Sequence, residues 1–168
     1  MKKLLGSLVL AAMIVAVAPR AALAQGVPFK GTFTAAATVT PNTGNVAFCG
    51  GTPLDLAVEA HGAGYSTLGA LSLSLQKTIA FSGAMHGCLE LTAPNGETLS
   101  AIYDGTEGAP NANNFIVDAF GTLTFTGGTG RFRGASGSAH FTAVFRRGTP
   151  VIAFYSVEGT LSLQKDDQ

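Results

Sequence analysis

Apolar and polar residues alternate with a period of two through most of this chain. In Phe29-Lys30-Gly31-Thr32-Phe33-Thr34-Ala35 the odd positions are apolar or small and the even ones mostly polar, the pattern of a strand with one buried face. The same alternation sets Leu54, Leu56 and Val58 against Asp55, Ala57 and Glu59, and Leu71, Leu73 and Leu75 against Ser72, Ser74 and Gln76. Leu99, Ala101 and Tyr103 follow the turn Pro94-Asn95-Gly96, and Leu123 and Phe125 stand between threonines. Ala139, Phe141, Ala143 and Phe145 alternate with Ser138, His140, Thr142 and Arg146, and Val151, Ala153, Tyr155, Val157, Leu161 and Leu163 carry the pattern onward. A further strand over 79–91, interrupted at Gly83 or Gly87, brings the number to about eight.

Alternating strands joined by Gly, Asn and Pro turns, with no room for crossover helices, predict an all-β antiparallel fold. Closure into an eight-stranded β-barrel removes both exposed edges and lets the apolar face fill or line the interior. A two-sheet β-sandwich is the alternative, and periodicity does not separate the two. An outer-membrane barrel needs an apolar outward face with aromatic girdles. Here the second face is Ser, Thr, Lys, Glu and Gln, with no Trp and three Tyr in the chain, so the barrel is expected to be soluble.

Residues 1–24 stand apart from this pattern. Lys2 and Lys3 precede an apolar run over 4–18, and Ala22-Leu23-Ala24 offers small residues for cleavage before Gln25. That is the form of a Sec-type signal peptide; the run is short for a bilayer span, and with no Cys after the site a lipid anchor is not expected. Residues 25–168 are then a single domain exported to the periplasm or the medium. Setting aside Lys2, Lys3 and Arg20 leaves seven basic against ten acidic side chains, a net of about −3. No basic stripe with interleaved aromatics is present, so nucleic acid is not an expected partner.

Two cysteines remain, Cys49 and Cys88. In an oxidising compartment they read as a disulfide. A thiolate nucleophile or a metal ligand needs further groups at suitable spacing, and only His86 lies close in sequence.

Residues 127–137, Gly-Gly-Thr-Gly-Arg-Phe-Arg-Gly-Ala-Ser-Gly, hold five glycines in eleven positions. A dinucleotide fingerprint needs a third glycine where Arg133 stands and a helix where alternation resumes. The stretch reads as a corner between neighbouring strands, with Phe132 folded in as a plug of one barrel end and Arg131 and Arg133 directed to solvent or carboxylates. It resembles the motif near the end of plant dirigent proteins and, more loosely, the matching corner of allene oxide cyclases. It is also similar to a loose group of exported bacterial proteins of unassigned function, which share His61-Gly62-Ala63-Gly64-Tyr65-Ser66-Thr67-Leu68-Gly69 and Ala93-Pro94-Asn95-Gly96-Glu97-Thr98-Leu99. The resemblance spans about 59–144 and implies the eight-stranded barrel. Dirigent proteins steer radical coupling and the cyclases close an epoxide ring, but the acidic residues of neither family map onto this chain.

The candidate chemistry is sparse. His61, His86 and His140 are far apart in sequence, and His61 and His140 fall in the outward phase, so no metal site or cofactor is expected. Asp55, Glu59, Glu90, Asp104, Asp118 and Glu158 fall in the polar phase of their strands, and Glu97 and Glu107 read as loop acids solvating turns. The leading expectation is a barrel that binds a small apolar molecule in its interior without being an enzyme. Large inward residues (Phe33, Leu73, Phe125, Phe141, Tyr155) alternate there with small ones that leave space. The alternative is an isomerase, cyclase or dirigent-type enzyme working in the cavity, for which Tyr103, Tyr155 and Glu90 are the catalytic candidates. A third reading is an interaction module: Ile116, Phe120, Val144, Ile152 and Phe154 form an outward apolar stripe. Either the segment 41–51 covers that stripe or a second copy of the chain does.

Overall fold

In the computed structural model, residues 25–113 and 115–164 are described; the expected signal segment lies outside them. The architecture is a closed antiparallel barrel with strand order β1 to β8, each strand beside its sequence neighbour and β8 returning to β1. The strands are β1 (Gln25–Pro41), β2 (Leu56–Ser66), β3 (Gly69–Ile79), β4 (Ala84–Thr92), β5 (Thr98–Glu107), β6 (Ile116–Gly128), β7 (Ser136–Arg146) and β8 (Val151–Leu163). Thirteen pairs from Gln25↔Leu163 to Ala37↔Val151 close the cylinder, which leaves no free sheet edge and decides against the sandwich. The interruption in 79–91 falls at Gly83, which takes φ +93° in the β3–β4 turn. Gly87 lies inside β4 instead.

Alternation sorts the side chains as the sequence predicts. Inward residues of all eight strands form one buried cluster, among them Phe29, Phe33, Leu71, Leu75, Leu99, Tyr103, Leu123, Phe141 and Leu161. Glycines appear where the wall must make room for a large ring. Gly105 and Gly121 face each other across β5 and β6, and a Cβ on either would press into the Phe141 ring.

The two barrel ends differ. At one, the 127–137 corner contains a 3-10 turn, Gly130–Phe132, with Phe132 fully buried. Gly130 and Gly134 adopt φ +55° and +65° there, values that favour glycine. Glu97 fixes this corner, accepting from Arg131 N at 3.0 Å and pairing with Arg131 Nε at 3.2 Å, more than solvating a turn. Its carboxyl is held below the usual range by hydrogen bonds from Asn95 and from the Arg131 amide.

The opposite end gathers the close of β1, β3, β5 and β7 and the start of β2, β4, β6 and β8. There Cys49, in the long β1–β2 connection, is disulfide-bonded to Cys88 on the outer face of β4, with Cα atoms 5.6 Å apart. Beside it His86 Nδ1 lies 2.6 Å from Asp104 Oδ1, and Thr78 Oγ1 reaches the Thr52 carbonyl at 3.5 Å. The connection therefore packs on β3 and β4. It does not cover the β6–β8 stripe: Phe120, Val144 and Phe154 are 62%, 40% and 50% exposed.

Candidate functional site

The interior is not uniformly apolar. β3 carries its inward phase past Leu71, Leu73 and Leu75 to Lys77, which is 2% exposed. β5 likewise carries Leu99, Ala101, Tyr103 and Gly105 on to Glu107, whose side chain is partly exposed at the rim. Both residues therefore reach the barrel lumen at the end opposite Phe132. The acid read as solvating a turn is the counter-ion of a buried lysine.

Lys77 Nζ lies 3.7 Å from Glu107 Oε1 and 2.9 Å from Met85 Sδ. It stands 4.6 Å from the centre of the Phe145 ring and 5.2 Å from that of Tyr103, within cation–π range of both. Its place depends on Gly87, which pairs with Lys77 on one side and Tyr103 on the other. A Cβ at Gly87 would fall on the Gln76 carbonyl and the Lys77 backbone. The bare backbone leaves the gap across which the lysine and the tyrosine ring meet.

The electrostatics follow from burial. Loss of water outweighs the attraction and hydrogen bonding of Glu107, and the Lys77 amine falls from 10.5 to about 8. Burial, with the nearby Tyr155 and Glu107, pushes the Tyr103 phenol well above its ordinary value, and burial with Glu107 does the same for Tyr155. Both phenols stay protonated as donors at neutral pH. The Tyr103 hydroxyl is buried with no hydrogen-bond partner, a state that costs about 1–3 kcal/mol unless something else fills it.

Of the expected catalytic residues, Tyr103 and Tyr155 are brought together here. Glu90 is not: Leu89 and Leu91 take the inward positions of β4, which leaves Glu90 exposed on the outer wall between Ser74 and Ser100. The expected ligand-lining residues Phe33, Leu73, Phe125, Phe141 and Tyr155 are all buried, but they pack on one another. Phe141 stacks on Tyr103 at 4.3 Å and meets Tyr155 edge-on at 6.4 Å, while Phe125 meets Phe29 at 5.1 Å. The gap remaining among Phe33, Leu73, Phe141 and Tyr155 is about 10 Å³, too small for more than one water. The small inward residues do not leave a void, because the rings opposite fill it.

Space lies at the Lys77 end. A pocket of about 30 Å³ adjoins Lys77, Glu107, Phe145 and Tyr155. Its walls Ala37, Val39 and Val151 are shared with an outer depression of about 310 Å³ beside Gly148, Thr149 and Pro150. An open groove of about 820 Å³ runs over the outer wall past Thr34, Ala63, Tyr65, Val144 and Phe154 and also meets Phe33 and Tyr155; no charged side chain lines it. His61, His86 and His140 sit on three different strands, and among the described residues no three His, Cys, Asp or Glu side chains converge as a metal site.

No protein-family model and no curated protein matches the chain. Among solved structures, a pterocarpan synthase dirigent protein is similar with a TM-score of 0.57 at 13% identity, over 84% of this chain and 93% of that one. At that identity the likeness is one of fold: this chain is a dirigent-like eight-stranded barrel.

Proposed function

We propose that the protein is an exported barrel that binds a small, mainly apolar molecule carrying one polar group, head first, at the Lys77 end. The observation that carries this reading is a buried ammonium lining a small pocket at the end opposite Phe132, beside a buried phenol without a hydrogen-bond partner. Burying a charge is costly unless it is paired and hydrogen-bonded, and a perturbed ionisable group in a cleft marks a candidate functional site. In this reading the polar head takes hydrogen bonds from Lys77 and Tyr155, and the apolar remainder lies against Ala37, Val39 and Val151. The Cys49–Cys88 disulfide supports export to the periplasm or the medium, and the uncovered Val144–Phe154 stripe supports association with further copies of the chain.

A second reading, an isomerase, cyclase or dirigent-type enzyme, is favoured by the convergence of Lys77, Glu107 and Tyr155 on one pocket, with the Tyr103 ring against Lys77. The deciding experiment compares the native and denatured masses of the protein purified from its own cell, alongside Lys77→Met. Binding predicts a companion of a few hundred daltons, on the order of drug-sized ligands, lost on denaturation and depleted in the variant. A wild-type protein that is bare and also takes up no small phenol or carboxylate added in excess would refute it.

A further inference from the structure

Retention of a ligand does not require a lysine of this kind; a hydroxyl or an amide would hold a polar head at lower cost. We propose that Lys77 forms a covalent imine with a small apolar aldehyde or ketone that enters between the end of β1 and the 148–150 turn. The proposal rests on the reading of the mouth given above and adds the chemical class of the ligand and the bond it makes.

The geometry supplies each part. The nucleophile is a primary amine held between two aromatic rings, with its charge opposed by burial and balanced by one carboxylate at 3.7 Å. Desolvation in an apolar pocket is how lysines become nucleophiles at neutral pH, and the lowered amine of Lys77 agrees with it. The space beside Lys77, about 30 Å³, is more than one water needs and suits a carbonyl group. The adjoining depression of about 310 Å³ is at the lower end of the range for small-molecule sites and takes the substituent. Tyr155 lines the same space, and its phenol, kept protonated by burial, is the donor for the carbonyl oxygen.

The step balances without any redox partner. The neutral amine adds to the carbonyl carbon, and Glu107 carries one proton from nitrogen to the oxygen to give a carbinolamine. The nitrogen lone pair then expels the hydroxyl, and Glu107 carries the second nitrogen proton to it. Water leaves with both amine protons, and a carbon–nitrogen double bond remains on Lys77.

The test uses benzaldehyde with sodium cyanoborohydride at pH 7 on the full, disulfide-bonded protein, followed by peptide mapping. Lys30, exposed on the outer wall beside Glu158, serves as the internal reference. An amine at about 8 is neutral in about one molecule in ten at pH 7, against about one in 2,500 for an ordinary lysine. Labelling of Lys77 is therefore expected to exceed that of Lys30 by at least about tenfold, to become equal to it in urea, and to slow in the folded Glu107→Gln protein. Labelling of Lys30 with Lys77 spared overturns the proposal. Benzyl alcohol, which cannot form an imine, then tells how much falls with it. If benzyl alcohol shifts the Ala37, Val39 and Val151 methyl resonances, the imine alone is wrong; if it does not, the mouth is not a binding site either.

Discussion

Replacing Lys77 by methionine should make this protein more stable at neutral pH. The side chain is enclosed by Phe145, Tyr103 and Met85, and its amine drops from 10.5 to about 8 because lost hydration exceeds what Glu107 returns. A fall of that size corresponds to about 3 kcal/mol of stability withheld while the amine is charged. Methionine keeps the length and apolar stem and removes the charge. Glu107 loses its partner but keeps access to water at the rim, where its side chain is 20% exposed, so the stranded-charge penalty of a fully buried pair is reduced. A net gain of about 2 kcal/mol remains, or about 4–8 °C in melting temperature for a domain of this size.

The pH dependence separates this cause from better packing. Because the folded amine titrates near 8 and the unfolded one near 10.5, the unfolded chain binds more protons across that window. Wild-type stability therefore rises from about pH 8 upward. Tyr103 and Tyr155 act in the opposite sense: their phenols stay protonated in the fold, so stability is lost once the unfolded tyrosines ionise above 10.0. The wild type should gain between about pH 8 and 10 and then decline, whereas Lys77→Met should show only the decline. Urea denaturation at intervals from pH 7 to pH 10.5 measures both curves. A variant less stable than the wild type at pH 7, or a gap that does not narrow by pH 10, would refute the reasoning.

Three further outcomes follow from other parts of the barrel. Phe132→Ala, which opens the sealed end, should cost about 3–5 kcal/mol in urea denaturation, since the ring is fully buried. Reduction of the disulfide, or Cys49→Ser with Cys88→Ser, releases a loop spanning 39 residues and should cost about 4 kcal/mol by loop-closure entropy, read by the same method. Phe154→Glu places a charge on the uncovered stripe opposite Val144 and should lower the mass seen by light scattering to that of one chain, with benzaldehyde labelling of Lys77 unchanged.

The barrel was legible in the sequence because alternation reports which face a residue takes and turn glycines report where strands end. The corner at 127–137 was legible for the same reason, down to the enclosure of Phe132. The site was harder to read. Lys77 lies in register with Leu75, Leu73 and Leu71, and Glu107 with Gly105, Tyr103 and Ala101, so the phase that identified Leu75 and Tyr103 also pointed inward for them. Its charge made Glu107 read as a loop acid, Lys77 drew no reading at all, and only the pairing register, with Gly87 between Lys77 and Tyr103, shows the lysine buried against the tyrosine ring. Glu90 illustrates the converse: its phase pointed outward and the structure keeps it there, although its charge had made it a candidate. The filled lumen could not be read from residue sizes alone, because whether alanines leave a void depends on which rings face them.

The central claim is that the Lys77 mouth, and not the larger outer groove, is where this barrel meets its ligand. Methyl NMR during titration with a panel of small phenols, aromatic carboxylates and aromatic alcohols tests it directly. Shifts confined to Ala37, Val39, Ile79, Val151 and Ala153, and reduced in Lys77→Met, are the predicted result. Shifts centred on Ala63 and Val144 in the groove of about 820 Å³, unaffected by that substitution, would contradict it.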